Sequence, residues 1–133
     1  MSEITFRAWD KKEKKMFYRA YQKLFHVLLC EDDGGKSGGH GTPVKRASYD
    51  DCILMQNTTV FDKRGIEIYE SDIVRIKTPE KTFEGPVESV PDMFKSRRLH
   101  PLLSVLEPNG ISDSNQIQEI EIIGNIYESN QEV

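Results

Sequence analysis

The sequence predicts a small, mainly β protein, and three observations lead to this fold class. In the stretch 54–76, the turn residues Asp62 and Gly65 stand between two short apolar runs. Apolar and polar residues alternate over residues 4–9, and isoleucine-rich residues 120–127 close the patterned part of the chain. Period-two alternation and β-branched runs bounded by turn residues are typical of strands joined by hairpins.

The N-terminal segment predicts a hairpin. Residues 4–9 favour one strand, and residues 15–19 can return as its partner. The tip between them holds the densest basic cluster of the chain, formed by Lys11, Lys12, Lys14 and Lys15. Runs of like charge are commonly solvated, so we interpret the cluster as a soluble turn rather than a binding patch.

The next fifty residues predict one further strand and then a loop. Residues 20–30 fit either an amphipathic helix or a buried strand over 25–29, and we favour the strand. Residues 31–49 are polar, with five glycines between Gly34 and Gly41 and then Pro43. Because this segment has too little apolar surface to offset its ordering entropy, we expect a long flexible loop.

The central stretch contains the most specific turn signal. Asp62 can accept hydrogen bonds from the amides ahead of it, and Gly65 can take the left-handed conformation that closes a turn. Residues 60–61 and 66–69 should therefore pair as a hairpin. A second polar turn at residues 70–72 leads into a β-branched strand over 73–76.

The C-terminal half predicts shorter elements. We expect a strand on either side of the Gly85-Pro86 break within residues 81–90. The remaining predictions are a connection at 91–99, a buried segment at 102–106, a short helical turn at 112–118 capped by Ser112 or Asp113, and a last strand at 120–127.

Length and charge favour a single soluble domain over residues 1–133, with N-terminal strands at 1–30, the loop at 31–49 and the core at 50–133. The N-terminus lacks the pattern of a secretory signal, so we expect a cytoplasmic protein. Residues 1–50 carry 10 Lys/Arg and 7 Asp/Glu, whereas residues 99–133 carry 6 Asp/Glu and no Lys/Arg. With a net charge of -4, the chain as a whole is not expected to bind nucleic acid.

Two motifs suggest ligand binding, but the residues around them argue against it. Gly35-Lys36-Ser37 ends like a phosphate-binding loop, but Cys30 stands where that loop needs glycine, and the three residues after it are acidic. Cys30 and Cys52 lie 22 positions apart without a second cysteine nearby, which predicts buried free thiols rather than a metal site. We therefore expect neither a metal nor a cofactor.

No other residue set indicates a reaction. A pairing of His100 with Cys30 or Cys52 stays open, because such partners meet only in the fold. The carboxylates near the centre have turn or exposed-face explanations, and paired acid and base groups need a closeness that sequence does not establish. The aromatic residues Trp9, Phe17, Tyr18 and Tyr69 could stack on bases, although core packing is the commoner use.

Four segments together resemble the YopX family of phage and prophage proteins. They are residues 4–10, 54–56, 62–74 and 122–128, in the same order along nearly the whole chain. The family usually has glycine where this chain has Thr59 and Ser71. If the second glycine is needed for a positive φ, Ser71 is strained or its turn differs here.

The resemblance implies a mostly β fold with an SH3-like or partly open small barrel, in a protein made inside a bacterial host cell. The family has no characterised function, so no catalytic or binding residues follow from it. Its signature residues have structural explanations first; in this chain they are Trp9, Asp10, Asp62, Gly65, Tyr69, Asp72, Gly124 and Tyr127.

The leading functional hypothesis is a non-enzymatic accessory protein of phage origin that self-associates or binds another protein, because exposed strand edges favour association. The alternative is a nucleic-acid-binding small β barrel that uses Arg97 and Arg98 together with the four lysines of residues 11–15. A metal-assisted hydrolase built from Asp and His side chains is a weaker third hypothesis. The chain is not expected to interact with a membrane.

Overall fold

Antiparallel strands dominate the computed structural model, which describes residues 5–36, 38–88, 102–111 and 114–128. The mainly β prediction is therefore confirmed. The chain divides into two compact units, Met1–Gln56 and Asn57–Val133. Strand β5 (Cys52–Phe61) contributes residues to both units. The treatment of residues 1–133 as one domain stays a prediction.

The first unit is a sheet in the order β4-β3-β2-β1-β5. Its strands are β1 (Phe6–Asp10), β2 (Lys15–Gln22), β3 (Val27–Glu31), β4 (Thr42–Ala47) and the beginning of β5. The N-terminal hairpin is confirmed, with Trp9 opposite Met16. The strand predicted over residues 25–29 is confirmed from Val27 onward. The preceding residues form a turn between β2 and β3, because the Lys23 amide bonds the His26 carbonyl at 2.9 Å.

The prediction of a flexible loop over residues 31–49 is wrong in its second half. Residues Thr42–Ala47 form β4 and pair with β3, where Ala47 lies opposite Val27. The segment is too polar to reveal a strand locally, but β4 has a strand on one side only, and edge strands tolerate proline and charge. The Gly-rich connection is thereby confined to residues 32–41.

Small side chains build the core of the first unit. Ala8, Ala20, Ala47 and Cys52 pack with larger apolar residues in one buried cluster. The larger members of this cluster are Phe17, Val27 and Leu29.

The second unit contains the end of β5, paired with β6 (Glu67–Tyr69), and a three-stranded sheet in the order β8-β7-β9. The strands of that sheet are β7 (Asp72–Lys77), β8 (Thr82–Pro86) and β9 (Glu119–Asn125). A short helix, α1 (Leu103–Leu106), and two 3-10 turns, Glu107–Asn109 and Ser114–Gln116, complete the described elements. Ile68, Val74, Ile76, Leu102 and Val105 form the centre of its core.

One C-terminal prediction is wrong, and a second is confirmed. Gly85 and Pro86 lie inside β8 instead of separating two strands, and Pro86 stands opposite Ile73. Proline is tolerated because β8 has a partner on one side only. A Cβ at position 85 would lie 3.3 Å from Val105 Cγ1, so a larger residue there would require Val105 to shift by a few tenths of an ångström. The predicted buried segment at 102–106 is α1, in which Val105 and Leu106 are buried.

Other C-terminal predictions fall partly outside the described residues. The connection at 91–99 and both cap candidates, Ser112 and Asp113, lie there, whereas the helical turn appears at Ser114–Gln116. The described strands form no closed barrel, because no strand pairs with the outer edge of β4, β8 or β9. The expected small barrel is therefore reduced to open antiparallel sheets in this part of the chain.

Both positions where the chain lacks the family's glycine adopt a left-handed backbone. Thr59 has a φ of 64° and Ser71 a φ of 74°, so the expectation of strain at Ser71 is confirmed. The Ser71 amide bonds the Val87 carbonyl at 2.7 Å, and its carbonyl accepts from the Ile126 amide at 3.0 Å. These two bonds hold Ser71 in a conformation that costs an L-residue about 1–2 kcal/mol.

Replacing Ser71 by glycine should therefore stabilise the protein. Relief of the left-handed strain exceeds the extra entropy that glycine gains in the unfolded chain, and we expect a net gain of about 0.5–1 kcal/mol. Urea unfolding followed by circular dichroism measures this difference. Gly65→Ala, at a φ of 83° with open space around it, should destabilise instead. Equal stability of Ser71→Gly and wild type would contradict the strain argument.

Candidate protein-binding site

The carboxylate of Asp62 organises the turn between β5 and β6. Its Oδ1 accepts hydrogen bonds from the amides of Arg64 at 2.9 Å and Ile66 at 3.0 Å. The Gly65 amide bonds the Asp62 carbonyl at 2.9 Å with the expected positive φ. The turn predicted from Asp62 and Gly65 is thus confirmed.

The same carboxylate also reaches β9. Asp62 Oδ2 accepts from the Ile122 amide at 3.2 Å and from the Arg64 guanidinium at 3.0 Å. Burial raises the pKa of Asp62, but the amides of Ile66 and Ile122 and the Arg64 side chain outweigh it, so the pKa lies below its ordinary value. A carboxylate with these donors serves as a structural acceptor rather than as a base.

The other buried signature residues have similar roles. Asp10 accepts from the Lys12 amide at 2.9 Å and from Lys45 Nζ at 2.5 Å. Burial raises the pKa of Asp10, yet the Lys45 hydrogen bond and the turn amides lower it overall. Asp72 Oδ2 accepts from the Tyr69 amide at 2.8 Å. Each of these carboxylates is thus engaged by the backbone of its own turn.

The signature residue Trp9 lies in β1 and is half-buried, and Gly124 lies at an irregular position of β9 with a positive φ of 157°. The Tyr127 amide bonds Asn125 Oδ1 at 2.9 Å in the turn after β9. In the part of the chain that the structure describes, no three His, Cys, Asp or Glu side chains are grouped as metal ligands would be.

Two of the four lysines in the predicted basic cluster form ion pairs within the first unit. Lys12 pairs with Asp51 at 3.2 Å and Lys15 with Glu31 at 2.8 Å. Lys11 and Lys14 are exposed and make no ion pair with any described residue. Arg97 and Arg98 fall outside the described residues, so the structure does not bring the six basic residues of the nucleic-acid hypothesis together.

The four aromatic residues considered for stacking on nucleic-acid bases do not form one exposed surface. Phe17 is buried in the core of the first unit, and Trp9 and Tyr69 are half-buried. Tyr18 is exposed. Stacking on bases needs open ring faces, which the buried ring of Phe17 cannot offer.

The Gly-rich connection uses its own side chains as acceptors. The amide of Gly34 bonds Asp32 Oδ1 at 3.0 Å, and the amide of Gly35 bonds Asp33 Oδ1 at 3.1 Å. Amides that would have to cradle a phosphate are thus already satisfied by carboxylates. This arrangement supports the rejection of a phosphate-binding loop.

Both cysteines are free and buried, as the sequence predicted. Burial raises the pKa of the Cys30 thiol, and burial together with the nearby Asp10 and Asp51 carboxylates raises that of Cys52. His26 is half-buried, His40 is exposed, and His100 lies outside the described residues. Arg19 and Lys23 act in the opposite direction at Cys30, but burial outweighs them, so both thiols are disfavoured as the thiolate that a nucleophile needs.

An exposed apolar tip was missed by the sequence analysis. Leu24 and Phe25 occupy the middle of the turn between β2 and β3, and each is 84% exposed. Tyr49 is 41% exposed, and its hydroxyl donates to the Lys23 carbonyl beside them. We call Leu24, Phe25 and Tyr49 the apolar tip.

Turn geometry does not explain this tip. The centre of a tight turn is usually polar or glycine, because those residues tolerate solvent and unusual backbone angles. The sequence pattern predicts Leu24 and Phe25 as part of a helical stripe or a buried strand. Neither alternative indicates that the two side chains are exposed. After Lys15–Gln22 and Val27–Glu31 are assigned as strands, the apolar pair in the four-residue turn between them is the sequence feature that indicates the tip.

Comparison with known proteins places the chain in a family. The model of the YopX protein family matches residues 5–132. The crystal structure of protein EF1440 from Enterococcus faecalis is similar, with a TM-score of 0.50 and 18% sequence identity over 98% of each chain. At that identity the likeness concerns the fold alone. No curated protein matches the chain, and none of its described helices has the length and apolarity to cross a membrane.

Asp62→Ala should lower the free energy of unfolding by roughly 2–4 kcal/mol at neutral pH, because several donors lose one buried charged acceptor. The stabilisation is present above the unfolded pKa of about 4 and is lost as pH falls through the lowered folded pKa. The wild-type and variant stabilities should therefore converge in acid. Urea unfolding from neutral pH downward measures this, with the exposed Asp50→Asn as control. A difference independent of pH would contradict the assignment.

Neither thiol should react readily in the folded protein. Burial and a raised pKa both suppress the thiolate, so an aromatic disulfide reagent should react at least about 100-fold faster in denaturant. Spectrophotometric titration of the two thiols before and after unfolding measures the ratio. Rapid modification of either cysteine in the native protein would show that its site opens.

Proposed function

Because this chain belongs to the YopX protein family, whose model matches residues 5–132, we propose that it is a phage-derived accessory protein that acts by binding proteins. The proposed role is non-catalytic and is carried out in the cytoplasm of a bacterial host. The apolar tip is the observation that supports it. Self-association and binding to a different protein both fall within this role.

The tip has the properties of an interface anchor. A large apolar side chain gains about 1.5–3 kcal/mol when it moves from water into an apolar site, and Leu24 and Phe25 are almost fully in water. Aromatic residues recur among the few side chains that dominate binding energy. The Tyr49 hydroxyl donates a hydrogen bond to the Lys23 carbonyl, and this bond holds the Tyr49 ring beside the turn. Less conformational freedom is then lost on binding.

The tip is a better candidate than the exposed edge of β4. Pro43 removes one backbone donor there, and Lys45 and Arg46 place charge on the strand. Proline and lysine on an edge strand discourage the addition of another strand. The edge is therefore protected, whereas Leu24 and Phe25 are exposed among the residues that the structure describes.

Serine at both tip positions should abolish partner binding. The protein carrying Leu24→Ser and Phe25→Ser, immobilised and exposed to lysate of prophage-induced host cells, should retain at least about tenfold less of the partner than wild type. Val44→Ser, which removes an exposed apolar side chain from β4, is the matched control and should bind normally. Because these side chains lie in solvent, melting temperatures should stay close to wild type.

Two outcomes would contradict the proposal. Equal capture by wild type and the tip variant would show that the tip is not the binding surface. A low-salt gel shift with DNA or RNA that disappears in Lys11→Glu/Lys14→Glu would favour the nucleic-acid alternative, since phosphate binding depends on such unpaired cations.

A further inference from the structure

The strands at the two edges of the first unit's sheet are joined by a short connection. β4 ends at Ala47 and β5 begins at Cys52, although β3, β2 and β1 lie between them in the sheet. Four strand spacings of a flat sheet amount to about 19 Å. Five residue steps reach at most about 18 Å when fully extended, and this connection contains a turn in which the Asp51 amide bonds the Ser48 carbonyl at 2.9 Å. The sheet must therefore curl.

A lysine on β4 contacts the carboxylate of β1 on the inner face of this curled sheet. Lys45 Nζ donates to Asp10 Oδ2 at 2.5 Å and to Glu13 Oε2 at 2.8 Å. Lys45 stands opposite Leu29 and Asp10 stands opposite Cys52, and both of those partners belong to the buried cluster. The two side chains can meet only because the sheet curls. We call the contact of Lys45 with Asp10 and Glu13 the clasp.

The clasp joins one cation to two carboxylates, one of which is buried. The Asp10 side chain is 1% exposed and the Lys45 side chain 31%. Lys12 and Lys15, which lie beside Asp10 in the first hairpin, pair with other carboxylates. Removing the charge of Lys45 leaves the Asp10 carboxylate buried without its cation, and an unpaired buried charge is strongly destabilising. The clasp is therefore a strong attachment between β4 and β1.

The apolar attachment of β4 is small by comparison. Ala47 is the one member of the described buried cluster that comes from β4. Burying one methyl group contributes much less than burying a Leu or Phe side chain. Pro43 has no backbone donor, and the pairing with β3 shifts register between Leu29 and Cys30. Since local stability follows buried apolar contacts, β4 belongs to the least stable part of this sheet.

The chain on either side of β4 allows the strand to move while β3 stays in place. Ten residues, 32–41, join β3 to β4, and five of them are glycine. The side-chain hydrogen bonds that hold these flanking segments are exposed to solvent. They run from the Tyr21 hydroxyl to the His40 carbonyl, from Thr42 to the Asp33 carboxylate, and from the Tyr49 hydroxyl to the Lys23 carbonyl.

We propose that β4 is a releasable strap over the edge of β3, and that the clasp holds the strap in place. When the clasp opens, β4 leaves β3, while the pairing of β3, β2, β1 and the beginning of β5 persists around Phe17, Val27 and Leu29. The strap thus controls whether the edge of β3 is covered. An uncovered strand edge is a template for pairing with another chain.

Amide hydrogen exchange followed by NMR in low concentrations of urea tests the strap. In wild type, the amides that pair β4 with β3 should exchange at least about 100-fold faster than those that pair β1 with β5, because the strap opens without unfolding the sheet. Their exchange should also depend less steeply on urea, since opening the strap exposes less surface than global unfolding.

Substitution of the clasp lysine identifies what holds the strap. Lys45→Met keeps the apolar stem and removes the charge, and it should accelerate exchange between β4 and β3 at least about 10-fold while the weak urea dependence persists. Arg46→Met removes the neighbouring exposed cation from the same strand. As the matched control, it should change that exchange by less than about twofold.

Three results would overturn the proposal. The first is exchange of the β4 amides at the rate and with the urea dependence of the β1–β5 amides, which would show that β4 opens only with the whole sheet. The second is unchanged β4 exchange in Lys45→Met, and the third is equal acceleration by Arg46→Met. If circular dichroism shows Lys45→Met to be unfolded, Glu13→Gln replaces it. That variant weakens the exposed half of the clasp and should accelerate β4 exchange about two- to fivefold, and no acceleration would count against the clasp.

Discussion

The carboxylate of Asp62 is the interaction on which the second unit depends. It closes the turn between β5 and β6 through the amides of Arg64 and Ile66, and it accepts a hydrogen bond from Ile122 on β9. A backbone donor on the outer edge of β9 is thus satisfied by a side chain rather than by another strand. One buried charge defines the turn and covers a strand edge that would otherwise remain open to pairing.

The same solution recurs at other turns. Asp10 holds the tip of the first hairpin and is neutralised by Lys45, 35 positions later, while Asp72 holds the Tyr69 amide. In this chain Asp10, Asp62 and Asp72 each accept a hydrogen bond from a backbone amide of their own turn. The apolar tip lies outside that set. A scaffold maintained by buried turn acceptors can carry different binding residues in its exposed turns, which is consistent with a protein-binding role.

The left-handed residues show that this scaffold can impose backbone geometry on the chain. Ser71 is held between Val87 and Ile126, and Thr59 lies at an irregular position in the pairing of β5 with β6. In each case the preferred residue is glycine. Surrounding hydrogen bonds offset the steric cost, so the turn persists without the glycine.

The sequence by itself determined the features that depend on short range. The Asp62 and Gly65 turn, the alternation in β1 and the isoleucine-rich β9 follow from residues within a few positions of each other. Residues 42–47 are predicted as a loop from the sequence. They form a strand because they pair with β3, which ends eleven positions earlier at Glu31. The space at Gly85 is limited by Val105, and the exposure of Leu24 and Phe25 is explained by the turn between paired strands. Tertiary structure decided these features, because strand pairing, close packing and solvent exposure are set by residues distant in the chain.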